Sequence, residues 1–169
     1  MVKVIDKVAI MNKARAKYRV EHESEVIKQA QISFDKYKNE TLFIAGIMLY
    51  WAEGKTTQKH IYNLELNNSD PKLLEVYCKF LRKYLNVADS VMRDRLFIYP
   101  DLNESKVKLF WSKLLNISSG QFIKSYISDS RSSVTKNKLR YGTCSLYVSS
   151  KDLRLIMSTW IEQFVSLYI

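Results

Sequence analysis

The residue best placed to do chemistry is Glu53. It ends an unbroken apolar run, Leu42 to Ala52, and is followed at once by Gly54. Asn39 and Glu40 precede the run as a cap and a first-turn acid, so the stretch predicts a helix. Such a helix, apolar on all sides, belongs in a core or between subunits. At eleven residues the run is too short for a bilayer, which takes about 20. A carboxylate at the tip of a buried helix is costly unless a cation, a donor or water meets it. Gly54 is expected to end the helix in a left-handed conformation. Ala45, Met48 and Ala52 fall at i, i+3 and i+7, a single stripe where small side chains let another backbone approach.

A second chemical signal is residues 122–141, FIKSYISDSRSSVTKNKLRY. Lys124, Arg131, Lys136, Lys138 and Arg140 cluster with hydroxyls and Asn137 against one acid, Asp129. Cations mixed with Ser, Thr and Asn on a loop suit phosphate contacts. The chain as a whole carries 27 Lys and Arg against 17 Asp and Glu, a formal charge of +10. Such a field favours polyanions, nucleic acid first and an anionic membrane second. His22 and His60 lack companions at ligand spacing, so zinc is not expected. Cys78 and Cys144 sit in apolar contexts and read as buried, reduced thiols. No signal-peptide pattern or transmembrane run is read, so the expected compartment is the cytoplasm and no membrane partner is expected.

These residues need elements to hold them. At 169 residues, 47% apolar and with four glycines and two prolines, the chain is expected to be one domain of long regular elements. Residues 1–38 are charged and helix-favouring and read as an N-terminal helical extension with a solvated face; whether residues 1–5 are strand or helix stays open. Residues 39–169 form the α+β domain. Residues 58–66 alternate as a strand, with Ile61, Asn63 and Glu65 on one side and Tyr62, Leu64 and Leu66 on the other. Asp70-Pro71 starts a helix to about Leu85. Strands are predicted over 90–100, 122–128 and 141–149, and helices over 103–116 and 151–168.

The segment Leu49-Tyr50-Trp51-Ala52-Glu53-Gly54 resembles the tail of the LAGLIDADG motif of homing endonucleases. Ile44-Ala45-Gly46-Ile47 echoes the motif's opening two residues too far upstream, and Met48 stands at its usual glycine. Leu49 to Thr56, followed by the turn Asn68-Ser69-Asp70-Pro71, is similar to a bacterial and phage branch of that family. The resemblance implies a curved antiparallel sheet backed by helices in the order αββαββα. It implies a homodimer, because one motif supplies one acid and cleavage needs two, with Ala45, Met48 and Ala52 in the dimer seam. Glu53 from each copy would be catalytic and hold Mg2+. Lys151, at the last strand-to-helix junction, stands where the family often has an active-site lysine. The sheet would lie in the major groove of double-stranded DNA. Lys55, Lys59, Asn63, Arg93 and Arg95 would then contact the nucleic acid, together with the basic loop. RNA remains open as a partner. Three functions follow: a metal-dependent DNA endonuclease, a non-catalytic DNA- or RNA-binding regulator or splicing helper of the same fold, and a protein-interaction domain whose charge is incidental.

Overall fold

The structure, a computed structural model, describes residues 2–56, 62–128 and 139–169, with side chains from Lys7 onward. Among them the elements run α1 (Val2–Tyr37), α2 (Thr41–Glu53), β1 (Asn63–Asn68), α3 (Pro71–Tyr84), β2 (Arg93–Ile98), α4 (Glu104–Leu115), β3 (Tyr126–Ile127), β4 (Thr143–Ser149) and α5 (Lys151–Val165). The chain is thus a mixed α+β protein. No helix among the described residues is long and apolar enough to cross a membrane.

Three helix starts follow from local chemistry. The Asp70 carboxylate accepts from the Lys72 amide at 2.9 Å, with Pro71 in the first turn. The Asn103 side chain accepts from the Lys106 amide at 3.0 Å, and the Ser150 hydroxyl from the Leu153 amide at 3.3 Å. Helix α2 starts differently from the expectation. Asn39 does not cap it, and Glu40 in the cap position makes no capping bond. The Glu40 carboxylate instead accepts from Lys83 Nζ at 2.6 Å and from the Tyr84 hydroxyl at 2.7 Å. The start of α2 is therefore tied to the end of α3.

The sheet order is β1-β4-β2-β3. Strand β4 is antiparallel to both β1 and β2, whereas β2 and β3 are parallel. The sheet is mixed, not purely antiparallel, because α4 acts as a crossover that returns the chain alongside β2. Ile123 N donates to Asp94 O at 2.8 Å and Ser128 N to Ile98 O at 2.9 Å along that return. The strand predicted over 122–128 shrinks to two residues. Between α2 and α3 one named strand is present, yet Gly54 already pairs with Leu66, and Lys55 N donates to Glu65 O at 3.0 Å. The chain thus turns back on itself directly after α2.

Side-chain alternation gives the sheet two faces. Leu64, Leu66, Leu96, Ile98, Cys144, Leu146 and Val148 are buried on the helix side. Helix α2 covers this core with Phe43, Gly46, Ile47 and Tyr50. Phe43 sits among rings from three other helices, with centroids at 4.8 Å from Trp160, 5.1 Å from Tyr84 and 5.9 Å from Phe34. The extension is only partly a solvated helix: Ala30 and Phe34 of α1 belong to the same core, and Trp160 Nε1 donates to Ala30 O at 2.9 Å.

Two buried positions carry measurable consequences. A Cβ on Gly46 would lie 2.1 Å from the Phe80 ring, so α2 and α3 touch there. Gly46→Ala should cost about 1–3 kcal/mol by overpacking, read as a lower urea midpoint. Asp94 is wholly buried on the core face of β2, with Cys144 Sγ 3.6 Å from one carboxyl oxygen and no partner for the other among the described residues. Burial pushes its carboxyl from the ordinary 3.8 up to about 7. The native state then holds a proton that the unfolded chain releases. This stability is full below about pH 4 and is lost as pH rises through 7, by about 4 kcal/mol at most. Unfolding midpoints between pH 5 and 8 should fall for the wild type and stay nearly level for Asp94→Asn, which should be the more stable protein at pH 8.

Candidate nucleic-acid interface

The second face of the sheet is polar, with Glu65 and Ser145 buried on it and Arg95 exposed. In register across it lie Glu65, Tyr147 and Arg93 in one row, and Asn67, Ser145 and Arg95 in the next. Asn63 pairs with Ser149 at one end, and Phe97 meets Tyr126 at the other, with ring centroids at 5.9 Å. Asn63, Arg93 and Arg95, expected on one face from alternation in separate strands, are therefore brought together. Arg95 is exposed. Arg93 is partly held back, donating from one nitrogen to Ser90 O and Met92 O, each at 2.7 Å.

Sequence reasoning did not anticipate the role of Glu65. It is nearly buried and accepts from Lys55 Nζ at 2.7 Å and from the Ser145 hydroxyl at 2.7 Å. Lys55, Asn63, Glu65, Arg95, Ser145 and Tyr147 surround a small polar depression of about 100 Å³. Tyr147 and Ser145 were missed because alternation within 141–149 does not say which strands that segment joins. Arg154 of α5 was missed as well. Its guanidinium donates to Thr56 O at 3.0 Å and to Asn63 O at 3.4 Å, clasping the segment after α2 to the start of β1.

Lys55 reaches the sheet because α2 ends abruptly. Gly54 is extended, at φ −82° and ψ 162°, and not left-handed as expected. Glycine is required there for space: a Cβ would lie 2.4 Å from Tyr50 O and 2.5 Å from the Tyr50 ring. The chain passes from helix to strand pairing across one residue, with Tyr50 stacked beneath. Glu53, just before the glycine, is exposed. Among the described residues it has no ion-pair or hydrogen-bond partner, so water meets its charge.

On the outer flank of α2, Ala45, Met48, Leu49 and Ala52 line an apolar groove of about 620 Å³ with Leu73 and Val76 of α3. Glu53 stands on the rim with Asp70 and Lys72. Met48 and Trp51 remain 39% and 44% exposed, which is high for side chains of their size in a helix so apolar. The expected stripe of Ala45, Met48 and Ala52 thus exists as an open surface.

The other expected residues lie apart from this arrangement. Lys151 Nζ is 2.5 Å from Glu23 Oε1 of α1 and 5.9 Å from the Tyr62 ring centroid. Its hydrogen bond holds the Glu23 carboxyl below its usual range. Lys124 is exposed. Arg140 lies over the Tyr141 ring, which stacks on Phe110 at 3.5 Å between centroids. Lys59, Arg131, Lys136 and Lys138 fall outside the described residues. No group of three or more His, Cys, Asp or Glu side chains placed to hold a metal occurs among the described residues. Glu53 thus stands unpaired at the groove rim among the described residues, beside Asp70, which caps α3.

No protein-family model, curated protein or solved structure matches the chain.

The Lys55–Glu65 pair gives this site its own test. Lys55→Ala would leave a nearly buried carboxylate with only the Ser145 hydroxyl, at a cost of about 3 kcal/mol. Glu65→Gln keeps the Ser145 contact and should cost less. Equal losses in urea unfolding for the two variants would show that Glu65 is not anchored by Lys55.

Proposed function

We propose that the chain is a homodimeric, LAGLIDADG-type DNA-binding protein that cleaves phosphodiester bonds with a divalent metal. The observation that carries this reading is the junction at Gly54. On one side Glu53 stands at the rim of an apolar groove; on the other Lys55 stands at the edge of a polar sheet face bearing Arg93, Arg95, Asn63 and Tyr147. A second copy laid flank to flank along α2 would cover the groove, bring two Glu53 carboxylates to one place and join two sheet faces into one surface. Arg and Asn on that surface suit base edges and phosphates in a groove wide enough for β-strands.

Magnesium fits only the paired arrangement. The described residues of one chain bring no three ligating side chains together, whereas two carboxylates with water meet its usual demand. Bound there, the ion would supply charge neutralisation at the scissile phosphate. Glu53 would hold it, and the arginines would fix the duplex. The α+β architecture, with helices on one face of the sheet, is compatible with the resemblance. The parallel edge strand β3 is an addition to the antiparallel pattern expected of the family.

A second reading, a binder that regulates or assists splicing without cutting, is favoured by Lys151. Its ammonium is engaged by Glu23 and not free beside a reacting phosphate.

A plasmid-nicking assay in magnesium, with binding measured on the same DNA in calcium, separates the two. Glu53→Gln should lower cleavage by about two orders of magnitude or more while binding is kept or strengthened. Cleavage by the Gln variant at the wild-type rate would contradict the role of Glu53. Tight binding by a wild type that never cuts would select the second reading.

A further inference from the structure

The N-terminal half of α1 is unexplained by the core and by the sheet. Every residue from Lys7 to His22 is exposed, while the same helix from Glu23 onward packs on α5 and buries Ala30 and Phe34. A free helix of this length is marginal in water. Here the anchored half supplies the nucleus, and Ala9, Ala14 and Ala16 with Lys and Arg favour continuation. Residues 7–20 contain Lys7, Lys13, Arg15, Lys17 and Arg19 and no Asp or Glu. Among the described residues, only Lys17 of these five has an ion-pair partner, Glu21 at 3.7 Å, and that pair is exposed and weak.

The cations are ordered. Lys13 and Lys17 are four apart on one flank, Arg15 and Arg19 four apart on the other, with Ile10, Ala14 and Tyr18 between them. That apolar stripe is too short for a coiled-coil seam, which needs three or four heptads. The arm leaves the body where His22 meets Asp152 at 2.9 Å and Glu23 meets Lys151. Lys151 follows Ser149 and Ser150, and Ser149 pairs with Asn63. The arm therefore departs from the end of the polar sheet face.

We propose that residues 7–21 of α1 form a basic arm that lies along duplex DNA beside the stretch covered by the sheet, its two cation rows contacting phosphates of the two strands. This rests on the sheet face being the nucleic-acid surface. At 1.5 Å per residue the arm reaches about 22 Å, the length of roughly six base pairs. A helix about 10–12 Å across matches the width of the major groove, which sets the two rows against opposite walls. The arm carries no sequence information through these contacts; it lengthens the footprint and raises affinity for any duplex.

The test uses the full chain with Lys13, Arg15, Lys17 and Arg19 all changed to Gln, a substitution that keeps helix propensity, verified by circular dichroism. Binding to a 30-base-pair duplex is measured from 50 to 200 mM salt, beside Arg95→Ala and the wild type. The four-Gln variant should lower the steepness of log K against log salt by about 3–4 units and shorten the hydroxyl-radical footprint by about six base pairs for each arm. An unchanged slope and footprint would overturn the arm. So would a shift in oligomeric state, or loss of binding to anionic vesicles, with DNA binding untouched. If Arg95→Ala binds like the wild type while the four-Gln slope falls, the sheet reading fails and the arm contact stands. A wild type with no affinity for the duplex removes both.

Discussion

The contact on which the rest depends is the Phe80 ring lying on Gly46. Because position 46 has no side chain, α3 comes against the backbone of α2, and Phe43 is drawn into the rings of Phe34, Tyr84 and Trp160. Aromatic pairs of this kind add about 0.5–1.5 kcal/mol each beyond the area they bury. They fix α2 on one side only. The other flank, with Ala45, Met48 and Ala52, forms one wall of a groove that Leu73 and Val76 of α3 complete and that no other described residue fills. A helix this apolar with one open flank is the observation on which the proposed second copy rests.

The same placement determines what the end of α2 can reach. Tyr50 lies under Gly54, so the chain leaves the helix without a loop and pairs at once with β1. Lys55 is thereby delivered to Glu65, and Glu53, two residues earlier, is left in water. The sheet face keeps its polar character because Glu65 is neutralised locally by Lys55 and Ser145. Arg95 is then not drawn into neutralising it. Charge that could repel phosphate is masked, and charge that attracts it is left exposed.

Much of this arrangement was legible in the sequence where the controlling interactions are local. Asp70-Pro71 and Asn103 cap helices through bonds two or three residues away, and the amphipathic faces of α3, α4 and α5 follow the helical period. Alternation placed Asn63 on one face of its strand and Arg93 with Arg95 on one face of theirs. It could not say that these faces coincide, since that depends on pairing with β4 some 50 to 80 residues later. Gly54 was read as a left-handed cap because glycine commonly serves that purpose; its actual constraint is the Tyr50 ring, which no spacing reveals. Strand β3 is two residues long and held by a crossover, so its parallel pairing left no periodic trace. Ala30 and Phe34 were hidden in a segment whose charges dominate its composition.

The central claim is that the open flank of α2 is closed by the same flank of a second copy, setting the two Glu53 residues together. Disulfide trapping of Ala52→Cys tests it most directly, because Ala52 is exposed in the last turn of α2 and the native Cys78 and Cys144 are buried. A disulfide forms only when the two Cα atoms approach to about 4.4–6.8 Å. Under mild oxidation Ala52→Cys should run as a covalent dimer on non-reducing gels, with Leu109→Cys, exposed on α4, as a control that stays monomeric. A folded Ala52→Cys protein that stays monomeric under the same conditions, with duplex DNA present, would contradict the account.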